Sequence, residues 1–133
     1  MKISITVYGI LLVLINLFLF QDTELKQSMA RGNEIYADFC VSCHLQKGEG
    51  VPYTFPPLAK SDYLMVNREN SIKAIKYGLQ GEITVNGVTY NSAMAGLGLE
   101  DDEVADVMNY ISNSWGNTSE SIVTEEEVAR IQK

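Results

Sequence analysis

Metal-binding side chains are scarce in this chain, which has one histidine and two cysteines among its 133 residues. That scarcity weighs against structural zinc, which needs four such ligands, usually in two separated pairs. It also argues against a disulfide framework, because a bridge between Cys40 and Cys43 would close a ring too small to stabilise much. Basic charge is short as well: 10 Lys and Arg face 17 Asp and Glu, a formal net charge of −7, so nucleic acid is not an expected partner. The acidic residues concentrate late, in Glu100-Asp101-Asp102-Glu103 and Glu125-Glu126-Glu127. Such runs usually form a solvated face or a helix start, and their sharper reading is a surface for a basic partner. Internal repeats and low-complexity tracts are missing, so neither a solenoid nor a disordered body is expected.

The length suits one compact domain with short extensions. After Lys2, the run Ile3 to Phe20 carries no charge and is mostly Ile, Leu, Val and Phe. It reads as a membrane-targeting segment, either a cleaved signal peptide or a retained anchor. Its 18 residues just suffice to cross a bilayer. No small-x-small cleavage site follows it closely, and Ser28-Met29-Ala30 fits chemically but lies late. Lys2 on one flank, with Asp22 and Glu24 on the other, sends the body outward in either case. The expected organisation is a targeting segment and linker over 1–27, a domain over 28–117 and an extension over 118–133.

A helix is expected from Ser28, with Ile35, Tyr36 and Phe39 on one face. Lys47 to Lys60 holds Gly48, Gly50, Pro52, Pro56 and Pro57 and reads as loop. Asn70 or Ser71 is expected to cap a helix carrying Ile72, Ile75 and Leu79, with Gly78 near its end. Ile83-Thr84-Val85 and Val88-Thr89-Tyr90 flank Asn86-Gly87, a strong hairpin signal. Asn91 to Leu99 reads as a small-residue loop. Glu100 to Ser114 is the clearest helix, with Val104, Val107, Met108 and Ile111 as its buried stripe. Thr124 and Glu127 have capping-box spacing for a last short helix, which must dock or fray.

The two cysteines and the histidine fall within Cys40-Val41-Ser42-Cys43-His44. In C-x-x-C-H the thiols add to the two vinyl groups of a haem, and the adjacent imidazole is carried beneath the ring to the iron. A thioredoxin-like motif would sit in a βαβ unit, which this chain lacks, and would leave His44 unexplained.

With these residues the sequence resembles the class I cytochromes c, from about Gly32 to Asn117. Pro56 and Leu58 match the family's proline-x-leucine feature, which implies that the Pro56 carbonyl accepts the Nδ1 proton of His44. A ligand histidine needs such an acceptor to fix its ring and raise its basicity. Gly32 and Tyr36 look like the family's glycine and aromatic on the first helix, and Val107 and Tyr110 like their partners on the last. The fold implied is an all-α small cytochrome c fold, three to five helices around one haem with the terminal helices crossing, plus a short β-hairpin.

A carrier also needs a sixth iron ligand, and a thioether favours reduced iron. Met94, in Ser92-Ala93-Met94-Ala95-Gly96, is the candidate. Met108 lies on the apolar stripe of the last helix and Met65 in a Leu64-Met65-Val66 run, and both read as packing. The family often has proline after this methionine, where Ala95 stands here.

The stretch from Gly81 to Met94, Phe55-Pro56-Pro57-Leu58-Ala59 and Asn113-Ser114-Trp115-Gly116-Asn117 are similar to cytochrome c domains fused to copper nitrite reductases and to cytochrome subunits of quinoprotein alcohol dehydrogenases. The resemblance implies one covalent haem c and transfer of one electron, with a quinol-oxidising complex or dehydrogenase as donor and an oxidase or reductase as acceptor. The implied location is the periplasmic side of a bacterial cytoplasmic membrane. No catalytic base or nucleophile stands out, so an electron-transfer protein is expected rather than an enzyme. Two alternatives are a haem subunit permanently docked on a reductase or dehydrogenase, and an open-site peroxidase or sensor should Met94 not bind iron.

Overall fold

The structure is a computed structural model and describes residues 2–119 and 121–133. The first helix, α1, runs without interruption over Lys2–Phe39, so the expected domain helix and the apolar segment before it are one element. Beyond it stand α2 (Val41–His44), α3 (Asp62–Val66), α4 (Arg68–Tyr77), α5 (Asp101–Ile111) and α6 (Glu125–Arg130). Two small antiparallel pairs complete the chain: β1 (Gly78–Leu79) with β4 (Met94–Ala95), and β2 (Ile83–Val85) with β3 (Val88–Tyr90). The all-α expectation with a short hairpin holds, with five helices of five residues or more among the described residues and α2 as a single turn.

The crossing of α1 and α5 organises the body. It depends on Gly32, because a Cβ there would overlap the Asp106 carbonyl and press on the Tyr110 Cβ. One turn on, Tyr36 packs against Tyr110 and Trp115, with ring centroids 5.5 and 5.0 Å away. Tilted aromatic pairs of this kind contribute about 0.5–1.5 kcal/mol each beyond burial. Asp106, buried on α5, accepts hydrogen bonds from Ser28 Oγ at 2.7 Å and Arg31 Nη2 at 2.8 Å, both on α1. Asn109, one turn later, donates to Ser28 Oγ at 2.8 Å and to the Val123 carbonyl at 2.9 Å. The acidic start of α5 suits the positive end of the helix dipole, and the Glu100 amide donates to the Glu103 carboxylate at 2.9 Å. Val104, Val107, Met108 and Ile111 are all buried, as their spacing predicts.

Several local expectations need correction. Asn70 and Ser71 do not cap α4; the helix begins at Arg68 with Asn67 in the cap position, and Ser71 is buried inside it. A short helix, α3, precedes it, capped by Ser61 Oγ, which accepts from the Leu64 amide at 3.2 Å. In that helix Leu64 is buried while Val66 is exposed, so Leu64-Met65-Val66 is not a packed run. Phe39 does not share the burial of Tyr36 and stays 46% exposed. Met94 and Ala95 lie on a strand rather than in an open loop, since β4 pairs with the chain leaving α4.

The hairpin forms where Asn86-Gly87 places it, with positive φ at both residues. It is tied down reciprocally: the Asp62 amide donates to Asn86 Oδ1 at 3.0 Å and the Asn86 amide to Asp62 Oδ1 at 2.7 Å. Residues after Asn117 dock on the body, with Val123, Val128 and Ile131 inside the same core as Val104 and Met108. Thr124 Oγ1 accepts from the Glu127 amide at 3.2 Å. The Glu127 carboxylate is drawn instead to Arg68, which holds it through two contacts of 2.7 Å, so only half of the expected capping box forms.

Two outcomes follow. Gly32→Ala, which forces α1 and α5 apart, should lower stability by about 1–3 kcal/mol, measured by thermal unfolding of the loaded protein. Arg68, chiefly through its hydrogen bonds, holds the Glu127 carboxyl below its ordinary 4.5. A depressed carboxylate stabilises the fold above its unfolded pKa, and that contribution fades as pH falls through the folded value. Glu127→Gln should therefore lower the unfolding midpoint at neutral pH and shrink the further loss on acidification below 4.5.

Candidate haem site

Cys40 is the first residue after α1, and its amide still donates to the Tyr36 carbonyl at 3.0 Å. The turn α2 then carries Cys43 and His44, whose amide donates to the Cys40 carbonyl at 2.9 Å. One helical turn therefore sets the relative positions of both thiols and the imidazole. The following loop folds back on itself. The Gly50 amide donates to the His44 carbonyl at 3.0 Å, and the Leu58 and Ala59 amides both reach the Gly48 carbonyl, at 2.7 and 2.9 Å. Gly48 sits at φ +63 against the Trp115 ring, where a Cβ would collide.

This fold-back brings the Pro56 carbonyl 2.9 Å from His44 Nδ1. A carbonyl oxygen can only accept, so Nδ1 carries the proton and Nε2 keeps its lone pair. Burial pushes the His44 pKa down, partly offset by the Pro56 contact. Burial likewise pushes the Cys40 thiol up to about 11, with Cys43 adding to the effect. Both shifts have the same cause, a dry surrounding that favours neutral forms.

His44 faces a cleft of two adjoining hollows, of about 620 and 940 Å³ counted to their open mouths, which share Cys40, His44, Pro56, Leu79, Ile83 and Met94. The space inside them that a water molecule can occupy is about 80 and 310 Å³, so the outer hollow reaches the lower end of the range of cofactor sites, about 300–1,000 Å³. The deeper hollow is walled by Leu58, Leu64, Ile75, Val85, Val107 and Ile111, and the outer one by Phe39, Cys43, Phe55, Tyr90, Ser92 and Leu97. The structure thus brings Cys40, Cys43, His44, Pro56 and Met94 to the lining of one hollow, with Met94 on the β1–β4 pair. Ser92 Oγ donates to the Thr54 carbonyl at 2.6 Å and joins the strand carrying Met94 to the loop carrying Pro56.

From sequence, Ser71 reads as a candidate helix cap and not as a residue of the site. Its buried Oγ, on the wall of the deeper hollow, is the one buried side-chain polar atom without a hydrogen-bond partner among the described residues. An orphaned hydroxyl in an otherwise apolar cavity fits a polar edge of a bound group. Phe39 is the other omission; its i+4 spacing from Ile35 suggests the packed face, whereas it turns toward the cleft.

The family model for cytochrome c matches residues 29–115. The chain belongs to the cytochrome c family. It is 42% identical over 98 residues to cytochrome c-552 of Thermus thermophilus, covering 70% of this chain and 66% of that protein. It is 30% identical over 119 residues to the cytochrome c subunit of a quinone alcohol dehydrogenase of Gluconobacter oxydans, covering 84% of this chain and 24% of the subunit. It is 28% identical over 123 residues to the cytochrome c subunit of gluconate 2-dehydrogenase of Pantoea cypripedii, covering 85% of this chain and 28% of the subunit. The chain therefore spans about two thirds of the Thermus protein and about a quarter of the dehydrogenase subunits. Its cofactor is covalently bound haem c, and its family's chemistry is electron transfer.

Asn117 braces this cytochrome's cleft. Its amide donates to the Leu58 and Ile111 carbonyls, both at 2.8 Å, while its Oδ1 accepts from the Lys60 amide at 2.8 Å. Asn117→Ala should cost about 1–3 kcal/mol by leaving these groups unpaired. It should also broaden the haem absorption bands as the Pro56 loop loosens, which thermal unfolding followed by visible absorption would record.

Proposed function

We propose that this cytochrome is a one-electron carrier whose haem is attached through Cys40 and Cys43 and whose iron is held between His44 and Met94, with Pro56 positioning His44. The observation that carries the reading is the single apolar cleft shared by Cys40, His44 and Met94, with His44 Nδ1 fixed on Pro56 at 2.9 Å. Bound haem supplies a one-electron iron couple. The chain's own residues set the terms of that couple. Pro56 holds the imidazole so that Nε2 points its lone pair into the cleft. The Met94 thioether favours the reduced state, and the β1–β4 pair keeps it at the same place in both states. Leu64, Ile75, Val107 and Ile111 keep water from the inner side and so raise the cost of the added positive charge of oxidised iron. Cys43 and Phe39 border the outer hollow, where a partner approaches the haem edge.

In this proposal residues 28–117 form the haem domain and 118–133 close it from outside. The protein is an electron-transfer protein rather than an enzyme, and works on the periplasmic side of a bacterial cytoplasmic membrane. It takes electrons from a quinol-oxidising complex or dehydrogenase and passes them to an oxidase or reductase. Permanent docking as a dehydrogenase subunit is the second reading, favoured by relatives that carry that name.

The test is the weak near-infrared band of methionine-ligated ferric haem. Wild type should show it and Met94→Ala should lose it, with a fall in reduction potential, while Met108→Leu keeps it. An absent band in wild type, or one unchanged in Met94→Ala, would sink the ligand assignment and favour an open-site haem protein.

A further inference from the structure

The amino-terminal part of α1 has no partner among the described residues of the fold. From Val7 to Phe20 the large apolar side chains described all stand exposed, Phe20 at 70%. They surround the helix rather than forming one stripe, the pattern of a segment meant for an apolar solvent. Two polar side chains within and just beyond this stretch bond back to the helix's own backbone: Asn16 Nδ2 donates to the Leu12 carbonyl at 2.7 Å and Thr23 Oγ1 to the Leu19 carbonyl at 2.9 Å. In hydrocarbon every polar group must find such an internal partner.

A removable leader would pass the same test, so the deciding observation lies further along. Two small-x-small triplets lie near this segment, Ser28-Met29-Ala30 and the overlapping Ala30-Arg31-Gly32, and cleavage after either removes Ser28. In the fold Ser28 is 3% exposed; its Oγ donates to Asp106 at 2.7 Å and accepts from Asn109 at 2.8 Å. Cleavage after Ala30 would strip this hydroxyl from two buried polar groups and leave Arg31 and Gly32, which make the α1–α5 crossing, on a fraying end.

We infer that residues 3–20 stay on the mature protein as a transmembrane anchor whose occupant is the hydrocarbon core of a bilayer, so that one helix serves as membrane span and as first helix of the haem domain. The inference rests on the reading of the body as an exported haem carrier. Eighteen helical residues reach about 27 Å, close to the roughly 30 Å apolar core. The remaining nineteen residues of the same helix, 21–39, place Cys40, which follows it, about 30 Å along the axis from Phe20.

The test uses the full chain, produced in a bacterium that matures c-type cytochromes. Intact mass and membrane fractionation are read on the same sample. The expected result is a haem-bearing protein that retains residues 3–20, stays with the membranes through high salt and alkaline carbonate, and is released by detergent. A haem-bearing protein in the soluble fraction that begins after residue 20 would overturn the inference. Ser28→Ala in the detergent-solubilised full chain should lower the thermal midpoint by several degrees; an unchanged midpoint would remove the argument against cleavage at either triplet. Retention of residues 3–20 at the membrane without any covalent haem would contradict the carrier reading while supporting the anchor.

Discussion

The fold is built around a hollow, and the backbone fold-back that sets His44 on the Pro56 carbonyl decides what the hollow can hold. Tyr36, Ile72, Val104, Val107, Met108 and Ile111 are buried in one core, yet on the side of Val107 and Ile111 that core opens on a cleft walled also by Leu58, Leu64 and Ile75. A protein interior is ordinarily packed to crystal-like density, so a cavity of this size with a half-exposed phenylalanine at its rim is a core with one component supplied from outside the sequence. The proposed attachment through Cys40 and Cys43 would make that component part of the chain at the end of α1, and the α1–α5 crossing, locked at Gly32, keeps that end fixed relative to the rest.

What could be read from the sequence divides along physical lines. Elements with strong local signals are where the pattern puts them: the α5 stripe, the Asn86-Gly87 turn and the Cys40–His44 run each follow from residues adjacent or one turn apart. Features decided by distant residues were not legible. Glu127 has capping-box spacing, but Arg68, 59 residues away in sequence, offers its carboxylate a bidentate partner and wins. Ser71 looks like a cap, yet Asn67 takes that position and leaves the hydroxyl facing the cavity. Met94 stands out as a candidate through its small neighbours, whereas the strand pairing that holds it depends on Gly78 and Leu79, which sequence reading assigns to the preceding helix. Phe39 lies outside what spacing can decide, because a period of four cannot tell a face packed on protein from one turned to an open cleft.

The same division explains the carboxy-terminal segment. Its short helix is too brief to stand alone, and it persists through Val123, Val128 and Ile131 in the core and through the Arg68–Glu127 pair. With those side chains turned inward, its outer face is left with Glu125, Glu126 and Arg130, a charged surface better suited to transient encounter than to a permanent apolar interface. The relatives named as dehydrogenase subunits match this chain over about a quarter of their own length.

Whether the cleft closes on both faces of the iron separates an electron carrier from a haem protein that binds small molecules. The most direct measurement is the visible spectrum of the reduced holoprotein before and after carbon monoxide at neutral pH. If His44 and Met94 both hold the iron, the spectrum is low-spin and unchanged by the gas. A high-spin reduced spectrum, or rapid formation of a carbon monoxide complex, would contradict the assignment of Met94 and with it the proposed carrier function.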